Sequence, residues 1–116
     1  MSYRIELANP PLCFVSIPFG KKVNGTGSVI NFDCIYQDLI RPCIIDSGLE
    51  PLRDDEEITG GIIQKSMFER LIYSKYAIFD LTLANPFTFY QLGVRHAVHP
   101  RSTVILFAGS ISIALS

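Results

Sequence analysis

The sequence predicts an α/β domain in which a parallel sheet is wound by helices. Three observations predict it. Short apolar runs of strand length alternate with amphipathic helical segments, in the order βαβαβαβ. The runs are apolar at consecutive positions, as in strands buried on both faces, and strands joined by helices in this way make right-handed crossovers. Finally, 116 residues of which 48% are hydrophobic and 18% charged suffice for one core, and this composition sets disorder aside. A single domain over residues 1–116 is expected, as a whole protein or as a piece of a longer one.

The first strand is Leu12–Ile17 (LCFVSI), which follows Pro10-Pro11. Pro18–Ser28 (PFGKKVNGTGS) is rich in glycine and polar residues and predicts a loop. Phe32, Ile35, Tyr36, Leu39, Ile40, Cys43 and Ile44 then form one apolar helical stripe. Pro42 lies inside that pattern and predicts a kink or break, and Gly48 predicts the stop. Leu49–Arg53 is the second strand. The acidic run Asp54–Glu57 and Gly60-Gly61 make a loop before a second helix marked by Ile63, Met67, Phe68, Leu71 and Ile72. Tyr76–Leu81 (YAIFDL) is a third strand. Asn85 caps a third helix with Pro86 at its first position, running to about Val98. Pro100 ends it, and Thr103–Ala108 (TVILFA) is the fourth strand. A doubly wound sheet usually continues with another helix and strand. Gly109–Ser116 is too short for both, so a longer protein or an edge strand paired with a partner is expected.

Composition excludes several functions. A net charge of −1 leaves no electrostatic footprint for nucleic acid. No apolar run reaches the roughly 18 residues that span a bilayer, and the N-terminus MSYRIELANPP lacks the apolar stretch of a secretory signal. Cys13, Cys34 and Cys43 are an odd number at no metal-ligand spacing; they predict buried free thiols and a cytoplasmic location.

Ligands of open parallel sheets bind at the carboxyl ends of the strands, near the switch in strand order. In a flavodoxin-like order 2-1-3-4 the switch lies between the first and third strands. The first strand delivers Pro18, Phe19, Gly20, Lys21 and Lys22 there. The third delivers Asp80, Thr82 and Asn85, the third helix carries Thr88 and Gln91, and the second strand adds Arg53 and Asp54. Gly20, Gly25 and Gly27 with the two lysines can approach a phosphate, although neither G-x-x-x-x-G-K-[ST] nor G-x-G-x-x-G is present; an ordinary flexible loop is the alternative. Asp80 either caps its turn or accepts two ribose hydroxyls. His96 and His99 lack a third metal ligand and fit charge at a helix C-terminus, and Asp54–Glu57 could bind a cation but fits a solvated loop better.

The segment SKYAIFDLTLANPFTFYQLGVRHA, ending at Ala97, resembles the TIR-like and nucleoside 2-deoxyribosyltransferase-like superfamily. That pattern is a strand ending in Asp, an Asn-containing turn, then an aromatic, Glu, Leu, Gly and a small residue on a helix. CFVSIPFG and EPLRDDEEITGGII are similar to the bacterial TIR-like domains of the TRAF-binding-region type, and the likeness spans Leu12–Ala108. The resemblance implies a three-layer sandwich of four to five parallel strands and cleavage of an N-glycosidic bond, with NAD or a nucleotide as substrate and no separate cofactor. It implies a role in antiphage defence and a site completed by self-association or a partner subunit. A catalytic Glu would stabilise or attack the anomeric carbon of an oxocarbenium-like transition state. Gln91 stands at that position and carries no charge, so the resemblance implies an inactive enzyme. Asp80 and Asn85 would orient the ribose, Phe19 or Tyr90 would stack on a base, and Lys21 or Lys22 would meet phosphate. The alternative is a non-catalytic nucleotide-sensing or oligomerising signalling module.

Overall fold

The computed structural model describes residues 10–53 and 65–107. In chain order the elements are β1 (Leu12–Ser16), β2 (Lys21–Val23), β3 (Val29–Asn31), α1 (Phe32–Ile35), a π-helical segment (Tyr36–Ile40), α2 (Arg41–Asp46) and β4 (Glu50–Arg53). Then come α3 (Lys65–Tyr73), β5 (Tyr76–Asp80), α4 (Pro86–Val98), a 3-10 turn (Pro100–Ser102) and β6 (Thr103–Leu106). The Asp54–Glu57 run, Gly60-Gly61, Ile63, Ala108 and the Gly109–Ser116 segment lie outside the described residues.

Four parallel strands form one sheet in the order β4-β1-β5-β6. The numbering departs from 2-1-3-4 because β2 and β3 intervene. They pair only with each other, as an antiparallel hairpin, where glycine content predicts a plain loop. Lys21-Lys22-Val23 and Val29-Ile30-Asn31 close around Asn24, whose side-chain oxygen accepts from the Thr26 and Ser28 N–H groups. The strand order switches at β1: the chain adds β4 on one side of it and then β5 and β6 on the other.

Alternation along β1 assigns its side chains to two cores. Cys13, Val15 and Ile17 pack with Phe32, Tyr36, Ile40 and Ile44 on one face. Phe14, Ala77 and Phe79 pack with Met67 and Leu71 on the other. Helices therefore cover both faces, an arrangement compatible with a three-layer α/β fold.

The first helical run shows how Pro42 is accommodated. It has no N–H to give to Asp38 and its ring crowds that carbonyl. The chain widens into π geometry just before it, where the Arg41 N–H reaches back to the Tyr36 carbonyl. The widening also serves packing. Phe32, Tyr36, Ile40 and Ile44 recur every fourth residue, and in an α-helix each such step drifts about 40°. A wider turn cancels part of the drift and keeps all four on the sheet. Leu39 and Cys43, expected on the buried stripe, are exposed instead. Cys34 is exposed too, so of the three thiols only Cys13 is buried.

Candidate functional site

At the carboxyl end of β1 the chain turns through Pro18, Phe19 and Gly20. Gly20 has φ +73°, a conformation that favours glycine. Its N–H donates to Asp33 Oδ1 at 3.0 Å and its carbonyl accepts from the Phe32 N–H at 3.0 Å, so the turn is tied to the start of α1. Arg53, at the end of β4, donates through Nη2 to the Pro18 carbonyl at 2.6 Å and to Asp33 Oδ1 at 2.8 Å. Its guanidinium carbon lies 3.9 Å from the Phe19 ring centroid and 4.8 Å from that of Tyr36. The Arg53 Nε is buried with no hydrogen-bond partner among the described residues. The Gly20 N–H, and after it Arg53, holds the Asp33 carboxyl below the usual carboxylate range. Burial pushes the Tyr36 phenol up. Beside this cluster is a shallow depression of about 260 Å³ lined by Gly20, Lys21, Asn31, Asp33, Cys34, Gln37 and Asp38.

At the end of β5, buried Asp80 accepts the Thr82 N–H at 2.9 Å, closing its own turn. Ala84 is held at φ 51°, where a Cβ costs about 1–2 kcal/mol. Asn85 caps α4 by accepting the Phe87 N–H at 2.9 Å. On α4 the fully buried residues are polar, Thr88, Gln91 and Arg95, while Phe87 and Leu92 pack partly buried against the core beside them. Gln91 is 1% exposed. Its Oε1 accepts from Ser16 Oγ of β1 at 2.8 Å, and its Nε2 donates to Met67 Sδ of α3 at 3.0 Å.

The predicted residues therefore divide. Phe19, Gly20 and Arg53 meet at the ends of β1 and β4. Gln91 is joined to β1 through Ser16, Thr88 is buried on the same helix face, and Asp80, Thr82 and Asn85 form the adjoining β5 turn. Lys21 and Lys22 are exposed on β2, with Lys21 at the edge of the depression. Tyr90 is half-exposed and packs against Phe68 of α3, with ring centroids 6.3 Å apart. His96 and His99 are exposed, and among the described residues no group of three metal-ligating side chains gathers.

Three participants escape the sequence-based list: Ser16, Asp33 and Tyr36. Ser16 carried a signal, because a lone hydroxyl in an apolar strand needs a buried partner. Asp33 carried a weaker one, an acid in the first turn of a helix. Nothing in the sequence pairs Tyr36 with Arg53.

Chemically, the edge offers a fixed guanidinium, an aromatic ring, a left-handed glycine turn and two carboxylates already engaged in hydrogen bonds. Gln91 is neutral and bonded through both its polar atoms to neutral groups, so it cannot act as a nucleophile. A larger cavity of about 580 Å³ lies elsewhere, over Cys13, Ile40, Ile44, Ile78, Val104 and Leu106. It is chiefly an apolar groove on the face that α1 and α2 cover and lacks convergent polar groups, so the strand ends are the stronger candidate.

No family model, no curated protein and no solved structure matches this chain.

Proposed function

We propose that this domain binds NAD or a related nucleotide at the carboxyl edge of its sheet, on the plan of a TIR-like N-glycosidase, and holds the ligand without cleaving it. The observation that carries the reading is Gln91. It occupies the position of the catalytic carboxylate in the motif that the chain resembles, and it is buried and joined to Ser16 and Met67. An oxocarbenium-like transition state needs a negative oxygen beside the anomeric carbon, and an amide supplies none. The surrounding groups suit recognition. Arg53 is a planar cation held in place by Asp33 and Pro18, Gly20 permits close backbone approach, and the Asp80–Asn85 turn borders the same edge.

The test is calorimetric titration of NAD into the purified protein, with nicotinamide release followed for the wild type and for Gln91→Glu. The wild type is expected to bind NAD without releasing nicotinamide. The Glu variant, its fold checked by circular dichroism, gains turnover by on the order of 10²-fold or more over background. Turnover by the wild type overturns the silent-site reading, and absence of NAD binding overturns the nucleotide reading itself. Binding that persists while Gln91→Glu stays inactive favours a purely sensing module.

A further inference from the structure

We infer that the ring recognised at this edge is a neutral, electron-rich purine stacked on Phe19, and that Arg53 behind Phe19 selects against the cationic nicotinamide ring. The inference rests on the nucleotide reading above and specifies which end of the nucleotide the site grips. Phe19 keeps 38% of its surface exposed although Arg53 lies against its ring, 3.9 Å from the centroid. Tyr90, the other aromatic that the sequence offers, is 47% exposed, but its ring meets Phe68 of α3 rather than the Arg53 cluster at the ends of β1 and β4. Phe19 is thus the better platform at the strand ends.

Arg53 sets the preference. The face of a phenylalanine ring is negative and attracts cations, and here that attraction is already engaged by the guanidinium. A ring stacked on the open side at van der Waals separation would lie roughly 7–8 Å from the guanidinium carbon. A pyridinium there meets a like charge through a π-face that has already been drawn upon. A purine meets no such charge and keeps its full stacking surface. Asp33 offsets the effect only in part. Its side chain is 51% exposed and screened by water, whereas that of Arg53 is 11% exposed and keeps its field within the site. At that distance the repulsion corresponds to a discrimination of about tenfold.

The probes are adenosine monophosphate and nicotinamide mononucleotide, which share ribose and phosphate and differ in the base. Calorimetry on the wild-type chain is expected to give adenosine monophosphate a Kd about tenfold lower or better. The chain has no tryptophan, so Phe19→Trp installs a single reporter whose fluorescence adenosine monophosphate quenches at concentrations where nicotinamide mononucleotide does not. Arg53→Gln, with its fold checked by urea unfolding, is expected to bring the two Kd values to within about threefold. Nicotinamide mononucleotide binding as tightly as adenosine monophosphate to the wild type overturns the inference and leaves the nucleotide reading standing if NAD still binds. A preference unchanged in Arg53→Gln also overturns the selective role of Arg53. If NAD, adenosine monophosphate and nicotinamide mononucleotide all fail to bind, both readings fall.

Discussion

Replacing Arg95 by Met should remove the chief polar fastening between α4 and the rest of the domain. Arg95 is fully buried, at 0% exposure. Its Nη1 donates to the carbonyls of Leu71 at 2.8 Å and Ser74 at 2.6 Å. Its Nη2 donates to the Lys75 carbonyl at 3.1 Å and to Ser102 Oγ at 2.9 Å, and its Nε to Thr103 Oγ1 at 3.3 Å. One side chain thus gathers the C-terminal end of α3, the turn into β5, and the 3-10 turn leading to β6. The described partners are neutral, and Leu71 contributes a carbonyl from the last turn of a helix, where a cation is favoured. Burial lowers the arginine's pKa without discharging it at neutral pH. Met preserves much of the apolar stem and leaves three carbonyls and two hydroxyls without their donor. Each bond to a charged group contributes about 1.5–3 kcal/mol, but relief from burying the cation offsets part of the loss. With buried acceptors left unsatisfied at about 1–3 kcal/mol each, less that relief, the net cost expected is about 3–5 kcal/mol, against a total stability of about 5–15 kcal/mol for a domain of this size. Arg95→Lys keeps the charge with fewer donors and should lose about half as much. Urea unfolding followed by far-UV circular dichroism measures both, provided the m-value is unchanged. A loss below about 1 kcal/mol for Met, or equal losses for Met and Lys, would refute the reasoning by showing that the carbonyls find other donors.

Three further outcomes follow from the same geometry. Phe32→Ala empties a fully buried position between the first helix and the sheet and should cost about 3–5 kcal/mol in the same unfolding assay; a cost near zero would mean that α1 repacks. The carboxyl of Asp33 is held low in the folded state, so the stability it contributes is present above the unfolded carboxyl value of about 4 and is lost as pH falls through its lower folded value. Asp33→Asn should therefore lower the melting temperature at neutral pH, with the difference from wild type shrinking below about pH 4; a difference constant from pH 7 to 3 contradicts the assignment. A thiol-reactive dye should label Cys34 and Cys43 in the native protein and Cys13 only on unfolding. The first two are exposed, whereas burial pushes the Cys13 thiol up to about 11; rapid native labelling of all three would show that β1 opens readily.

The sequence alone was enough for the elements whose signals are local. The apolar runs LCFVS and YAIFD mark β1 and β5 because strands buried on both faces have no polar face to show. Asn85-Pro86 marks the start of α4 because a side-chain cap and a fixed φ act within one turn. Gly48, at φ +79°, marks the end of the first helical run for the same kind of reason. Composition misled where a pairing decides, across a short hairpin as well as between residues distant in the chain. Pro18–Ser28 reads as a loop by its glycines, yet six residues of Lys21–Asn31 pair as strands because β2 and β3 find each other. No local signal marks Arg95, yet it is the most deeply enclosed charge among the described residues, because carbonyls from α3 and its following turn converge on it. The candidate site divides in the same way. Asp80 and Asn85 were legible as turn and cap residues from their neighbours. The stacking of Arg53 on Phe19 and the burial of Gln91 against Ser16 join residues 34 and 75 positions apart, and only the packed sheet decides such pairings. A one-dimensional pattern records which side chains must leave water; which polar groups then meet depends on strand order and crossover, the long-range terms that no local window contains.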